Sequence, residues 1–459
     1  MLQTRISKAV RACALAIALI PWLVSCGGGS GSGGGTVAAG PTGPLWGVAA
    51  KIDASNDAAS VPRIGVDGAG NVIAVWTQDD GLGNANDIWA NRYGSSGWGA
   101  ASNLTNTGIV DAGDAVSPQL AVNASGDAIA VWAQEDGGGV RHIWASVLSN
   151  GVWGAAARID NNTNDADDPQ IGLGANGNAI AVWVQDDGLG NNNRDVWASQ
   201  YTVVGGWQMA VSVDNSSADA SAPQIALDGS GNGFAVWIQA LRVQSNRFDP
   251  LIPGWGAAAS IQSIAEDAAE ARIAADENGN AIAVWSQISA TQTHIWANRY
   301  ANAIWEGAQK IETNAGDSAA PQIAMNATGN ALVVWEQAVT PPRLDIWSAR
   351  FNALSNSWGN AQLIEADDTG DARAAQVAIN ANGNGFAVWE QSDQQRVNIR
   401  SNRFSAGAGW GTVQFVETAD GPADSPGVVL TANGSAIAVW VQDDGTNPGK
   451  IDIVANRNQ

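Results

Sequence analysis

Three short segments carry carboxylates in a form that could hold a hard cation. They run from Asp79-Asp80-Gly81 to Asp87, from Asp186-Asp187-Gly188 to Asp195, and from Asp443-Asp444-Gly445 to Asp452. Each reads as a hairpin with carboxylates at both ends, and Asn84, Asn86, Asn191, Asn193 or Asn447 in between. Calcium takes about six to eight oxygen ligands from such sets. The spacing is not that of an EF-hand. The same residues also suit a solvated turn, because Asp, Asn and Gly accept turn conformations. Both readings stand at this point, with calcium as the candidate cofactor.

Other reactive side chains are few. His142 and His294 occupy one repeated slot, before Ile-Trp-Ala, where other copies carry Asp87, Asp195, Asp345 or Asp452. A slot shared by His and Asp reads as a polar strand-edge position. Tyr93, Tyr201 and Tyr300 close equivalent phrases. No zinc spacing, phosphate loop or Ser/His/Asp set is visible. No catalytic residue is assigned.

The element that must position these residues is a repeat. The phrase Ala-Val-Trp-x-Gln, or a close variant, places tryptophans at 76, 132, 183, 237, 285, 335, 389 and 440, spaced 48 to 56 residues apart. Each unit holds four β-like phrases bounded by Gly, Asn and Asp, and none has the length or period of an amphipathic helix. Four short antiparallel strands repeated eight times predict an all-β fold, an eight-bladed β-propeller. A parallel β-helix would need capping ends instead. The phase is split. Trp46 to Ile52 is a lone fourth phrase, and Ile451 to Arg457 is a third phrase without its fourth. The N-terminal strand is therefore expected to complete the last blade and remove an exposed edge. Every tryptophan from Trp46 onward falls at a repeat position, which reads as packing. The Trp-Gly set on the fourth strand is the candidate exception for stacking on sugars.

The layout over Trp46 to Gln459 resembles the sialidase-like propellers with BNR, or Asp-box, repeats. Pro-x-Ile-Ala opens a unit, a Gly-Asn turn leads to Val-Trp, and Gly-x-Trp starts the fourth strand. Ser149 to Trp153 and Ser95 to Trp98 occupy the Asp-box site, without its aspartate. Sialidases use three arginines, a tyrosine nucleophile and acidic partners. Arg63 and Arg272 start first strands, where such arginines can lie, and Arg373 is shifted within its phrase. No tyrosine stands apart from the repeat, and eight units exceed the six usual in that enzyme family.

The first residues follow another logic. Arg5, Lys8 and Arg11 precede the apolar run Ala12 to Val24, which is too short for a membrane span of about 20 residues. Leu23-Val24-Ser25-Cys26 resembles a bacterial lipobox, which implies cleavage before Cys26 and lipidation of it. Gly27 after the cysteine implies passage to the outer membrane. The expected division is residues 1–25 as signal peptide, 26–44 as lipidated cysteine and Gly/Ser tether, and 45–459 as propeller. Cys13 leaves with the signal, so the folded part holds no disulfide.

The chain carries 22 Lys and Arg against 44 Asp and Glu, a net charge of −22. Loss of Arg5, Lys8 and Arg11 takes 22 to 19, and 19 minus 44 is −25. That sign argues against nucleic acid or an anionic bilayer as a partner and favours cations, cationic surfaces or neutral sugars. Sorted by phrase, 31 of the 44 acids fall in loops of one propeller face. The tight turns opposite hold few, such as Asp67, Asp228 and Asp276. The expected function is an envelope lipoprotein with a non-catalytic binding or scaffolding propeller. It would meet the membrane through its lipid, and a glycan or protein ligand on the acidic face. The alternative is a glycan-active hydrolase or a propeller lectin.

Overall fold

A computed structural model describes residues 46–458, apart from loop residues 54–56, 80–84, 106–112, 187, 189–192, 215, 253, 313–314, 341–342, 367–368, 420 and 444–449. Eight antiparallel sheets follow one another, each a meander from an inner to an outer strand. In blade 1 these are Ala59–Val66, Val72–Asp79 and Asn86–Gly94, with an outer strand in two pieces, Gly97–Trp98 and Ser102–Asn103. Both pieces pair with the third strand. The eight-bladed expectation holds, with four-stranded blades whose outer strand is interrupted.

In blade 1 a side chain bridges the interruption. Asn91 Nδ2 donates to the Gly99 carbonyl in the gap at 3.1 Å and to the Ile52 carbonyl of the preceding outer strand at 2.7 Å. Asn246 repeats this with Gly256 at 3.0 Å and Val213 at 2.8 Å. One buried amide thus satisfies two backbone acceptors and ties adjacent blades together.

The inner strands share a second irregularity. Each has a register shift just before its middle, as between Ser60 and Arg63 or Ala269 and Arg272. The bulged residue is left-handed in all eight blades, although none is glycine: φ is 53° at Val61, 55° at Ser117, 51° at Asp168, 49° at Ala222, 58° at Glu270, 52° at Ala320 and Ala374, and 54° at Ser425. Proline follows in most blades, as at Pro62 and Pro223. A bulge tolerates a residue with no amide proton to give to the ladder.

The core lies between blades. The eight second-strand tryptophans are fully buried. Trp183 packs with its own blade's Ala179 and Ala181 and with Ile129, Val131 and Ala145 of the blade before. Small residues leave the volume that a neighbour's indole fills. Each indole N–H donates to the glutamine two residues on, from Trp76 to Gln78 at 3.0 Å through to Trp440 to Gln442 at 2.9 Å.

The N-terminal strand closes the ring. Ala50 pairs with Ala455 and Lys51 with Val454, and Trp46 bridges to Asn458. Its sheet runs from that strand through Ile451–Arg457 and Ala436–Asp443 to Ala423–Leu430. Ile52 is buried among Ala74 and Trp76 of blade 1 and Val439, Ile453 and Ala455 of blade 8.

Candidate functional site

The bulges turn one position of every inner strand toward a common cavity on the axis. In order of blades it carries Arg63, Gln119, Gln170, Gln224, Arg272, Gln322, Gln376 and Gly427, all lining a cavity of about 470 Å³. Val61, Ala374, Ser425 and Glu390 line it too. The bulged residues sit at the start of the inner strands, so this end belongs to the face of the blade-linking loops. The two arginines are four blades apart, hence opposed across the ring. Gly427 breaks the pattern because an added Cβ would meet Ile64 Cγ2 of blade 1 at 3.2 Å.

The arginines are half-buried, and their hydrogen bonds are to neutral acceptors. Arg63 Nε donates to Gln119 Oε1 at 3.2 Å and its Nη1 to the Pro62 carbonyl at 3.1 Å. Arg272 Nη1 donates to the Ala271 carbonyl at 3.0 Å. Burial, and then the charge of Arg272, lowers the Arg63 guanidinium below its usual range. Burial likewise lowers Arg272, opposed by Glu270. Arg373 is directed elsewhere, to Asp371 Oδ2 at 2.6 Å.

Blades 5 to 7 add carboxylates beside this ring. Glu270 Oε2 accepts the Ala320 amide at 2.7 Å and the Ser286 hydroxyl at 3.0 Å. Glu336 accepts the Ala374 amide, and Glu390 the Ser425 amide, each at 2.8 Å. Each therefore satisfies the bulged amide of the next blade. Burial pushes Glu336 up to about 7, against the pull of the Ala374 amide and Arg373. Glu390 is raised for the same first reason.

The structure gives many of the loop acids a structural task. Asp114, Asp165, Asp219, Asp317 and Asp371 each accept a backbone amide from the first or second residue of the preceding blade's third strand, at 2.9 to 3.1 Å. Asp160 is buried, accepting from the Ile143 amide, Gln185 and Arg158. These linker acids cap strands across five of the blade boundaries, a structural task that accounts for part of their crowding on one face.

In the three candidate calcium hairpins, Asp80, Asp187 and Asp444 lie outside the described residues, as does Cys26. Asp79 pairs with Asn86, whereas Asp87 pairs with Gln78, so Asp79 and Asp87 project from opposite faces of the sheet. Asp186 and Asp195, and Asp443 and Asp452, are related in the same way. Asp87 accepts from Asn103 at 2.6 Å and Thr105 at 2.5 Å. Asp195 accepts from Asn193 at 2.9 Å. Asp452 pairs with Lys51 at 2.7 Å. Asp186 accepts the Gly188 amide at 2.7 Å. Among the described residues, no group of three or more potential ligands could hold a metal ion.

The histidine slot faces the end of the outer strand. His142 Nδ1 meets Asp160 at 3.0 Å, and His294 meets Glu312. The Trp-Gly tryptophans are partly buried against the end of the third strand. Tyr93 meets Trp98 with ring centroids 5.5 Å apart, and Phe404 meets Trp410 at 5.3 Å. The sequence reading missed the glutamine ring. Its signal was present in the recurring Pro-Gln-Ile phrase, broken by arginine in blades 1 and 5.

No family model matches this chain, and no curated protein does. Solved structures of similar overall shape include a fungal alcohol oxidase of the AA5 family in complex with copper, 12% identical over 90% of this chain and 76% of its own, with a TM-score of 0.46. The NanB sialidase from Streptococcus pneumoniae, as its K499G mutant, is 8% identical over 89% and 94%, with a TM-score of 0.41. The Penicillium chrysogenum α-L-arabinanase complexed with arabinobiose is 14% identical over 68% and 100%, with a TM-score of 0.42.

Proposed function

We propose that this chain is an envelope-anchored lipoprotein whose propeller is a non-catalytic binding module, with its binding centre in the axial cavity. The observation that carries this reading is the ring of Arg63, Arg272 and five glutamines lining one cavity, with the arginines bonded only to neutral acceptors. Two half-desolvated guanidiniums suit a carboxylate, since charge-assisted bonds from arginine are the strong ones. Glutamines offer both donors and acceptors, which suits the hydroxyls around it. The ligand class is an acidic glycan. Its anchoring, through a lipid on Cys26, is the membrane partner.

The test uses the repeat as its own control. Arg63→Gln with Arg272→Gln installs the residue that five other blades already carry, so folding should be preserved. Calorimetry on carboxylated oligosaccharides, chosen from a glycan array, should show affinity falling about 10- to 100-fold per arginine lost. Unchanged affinity in the double variant removes the axial site.

A hydrolytic reading rests on Glu390, the carboxylate lining the same cavity. It requires turnover of those oligosaccharides that Glu390→Gln abolishes.

A further inference from the structure

The turns joining third to outer strands all lie on the face opposite the axial cavity's mouth. On five consecutive blades, 2 to 6, an exposed aliphatic side chain stands at or beside the turn. Val152 is 71% exposed, Val204 100%, Leu251 90%, Ile252 77%, Ile304 61% and Leu354 98%. The corresponding turns of blades 1 and 7 are Gly94-Ser95-Ser96-Gly97 and Ser405-Ala406-Gly407-Ala408-Gly409. Charge is sorted in the same sense. Among the five apolar turns the only ionisable side chain is Asp249, in a chain of net charge −22. Isolated exposed aliphatics need no explanation, but a crescent of them, recurring at the same turn of five consecutive blades, does.

The chain also enters the ring at this face. Outer strands begin where these turns end, and Trp46, bridged to Asn458, stands where Trp98 stands in blade 1. Between Cys26 and Trp46 lie 19 residues, opening with a Gly/Ser-rich run. Behaving as a random coil, a segment of that length would have a root-mean-square span of about 25 Å. An acylated Cys26 would therefore hold this face near the bilayer at an effective concentration in the millimolar range, where a weak apolar contact is well populated.

We propose that this crescent is a membrane-docking surface. The aliphatic tips of blades 2 to 6 enter the headgroup boundary of the bilayer that carries the lipid anchor. The axial cavity and the acidic face then point away from it. Short aliphatic side chains on polar turns bind an interface without spanning it, in proportion to the apolar area they bury. The proposal rests on the lipid-anchor reading, and its test separates the two.

Beyond Cys26 the mature chain has no cysteine, so single probes can be placed cleanly. An environment-sensitive fluorophore is attached at Val204→Cys, Leu354→Cys or, as a control in an opposite-face hairpin, Gln394→Cys. The protein is bound to phosphatidylethanolamine vesicles with a minority of phosphatidylglycerol. Lipidated chain is compared with Cys26→Ser chain held on nickel-chelating lipid by an N-terminal hexahistidine. The expected result in both arms is a blue shift and protection from aqueous quencher at 204 and 354, with neither at 394. Serine at Leu251 and Ile252 should weaken the shift at the remaining sites. Labels at 204 and 354 that stay as exposed as at 394 overturn the proposal. A shift that appears without vesicles and grows with protein concentration overturns it in favour of a second copy on the crescent. If intact mass shows no lipid on the secreted chain, the anchor reading fails, and the hexahistidine arm still decides the crescent.

Discussion

At the scale of single residues, the glutamine two places after each buried tryptophan carries more than its polarity suggests. Gln185 accepts from Trp183 at 3.1 Å and donates to Asp160 at 3.3 Å and to the Asn164 carbonyl at 2.9 Å. Gln185→Leu strands the buried indole N–H and removes the side-chain donor to the Asn164 carbonyl, while Asp160 keeps its bonds from Ile143 and Arg158. It should cost about 2–4 kcal/mol, read as a lowered melting temperature. Val61 presents the opposite case. A β-branched residue at φ 53° is strained, and Val61→Gly should gain about 1 kcal/mol where the same change in a regular strand loses stability. Glu336 gives a pH dependence. Its carboxyl, pushed up to about 7 by burial, binds a proton in the folded chain that the unfolded chain has already released. Its contribution is complete below the ordinary carboxylate range and is lost as pH rises through about 7. Glu336→Gln keeps an acceptor for the Ala374 amide without the charge. Melting at pH about 8 should rise by the equivalent of about 1–3 kcal/mol, and melting at pH about 4 should stay the same. Equal effects at both pH values would mean that the group does not titrate between them.

At the scale of strands and loops, the sequence is legible where a rule repeats. The Ala-Val-Trp phrase alternates small and large residues because both faces of a second strand are buried. That alternation is visible in the residues themselves. The inner strand was legible as a strand but not as a bulged one. Its left-handed residue is Val, Ser, Asp, Ala or Glu, so no glycine marks it. The site follows from that hidden bulge. A register shift places Arg63 and Arg272 on the axis and sets the Ala374 and Ser425 amides for Glu336 and Glu390. Nothing in the spacing of those glutamates announces it. The acids before the inner strands were legible as charge. Surface charge and amide caps share one composition, so Asp165 could not be told from a solvated aspartate. The calcium hairpins remain open to measurement. A rise in melting temperature with millimolar calcium, lost in Asp80→Ala with Asp187→Ala and Asp444→Ala, would locate ions there. Identical curves in calcium and chelator leave ordinary turns.

At the scale of the whole molecule, closure is the property that the split repeat makes readable from the order of its phrases. Removing residues 45–52 exposes the third-strand edge of blade 8 and takes Ile52 from between blades 8 and 1. The truncated chain should aggregate, seen by light scattering, because an unpaired edge recruits another chain. A monomeric and equally stable product would mean that the ring does not depend on this strand. Cys26→Ser should release the protein from membranes, and the mass of the mature chain should show the lipid on Cys26 otherwise. The repeat predicts a symmetric body, but its departures are distributed with purpose. Arginines stand in blades 1 and 5, carboxylates in blades 5 to 7, and apolar tips in blades 2 to 6.

The closing strand also has a mechanical consequence. A force applied at Trp46 along the closing strand would load that strand in shear. The bonds from Gly47 to Arg457 and from Ile52 to Ile453, each at 2.9 Å, lie at right angles to that pull. They share the load at once instead of parting one by one. The Trp46 indole bond to Ser401 at 2.8 Å and the Lys51 contact with Asp452 at 2.7 Å add resistance at both ends of the strand. Tension along the closing strand would therefore fall on the clasp that holds the first and last blades together, in the direction in which that clasp is strongest.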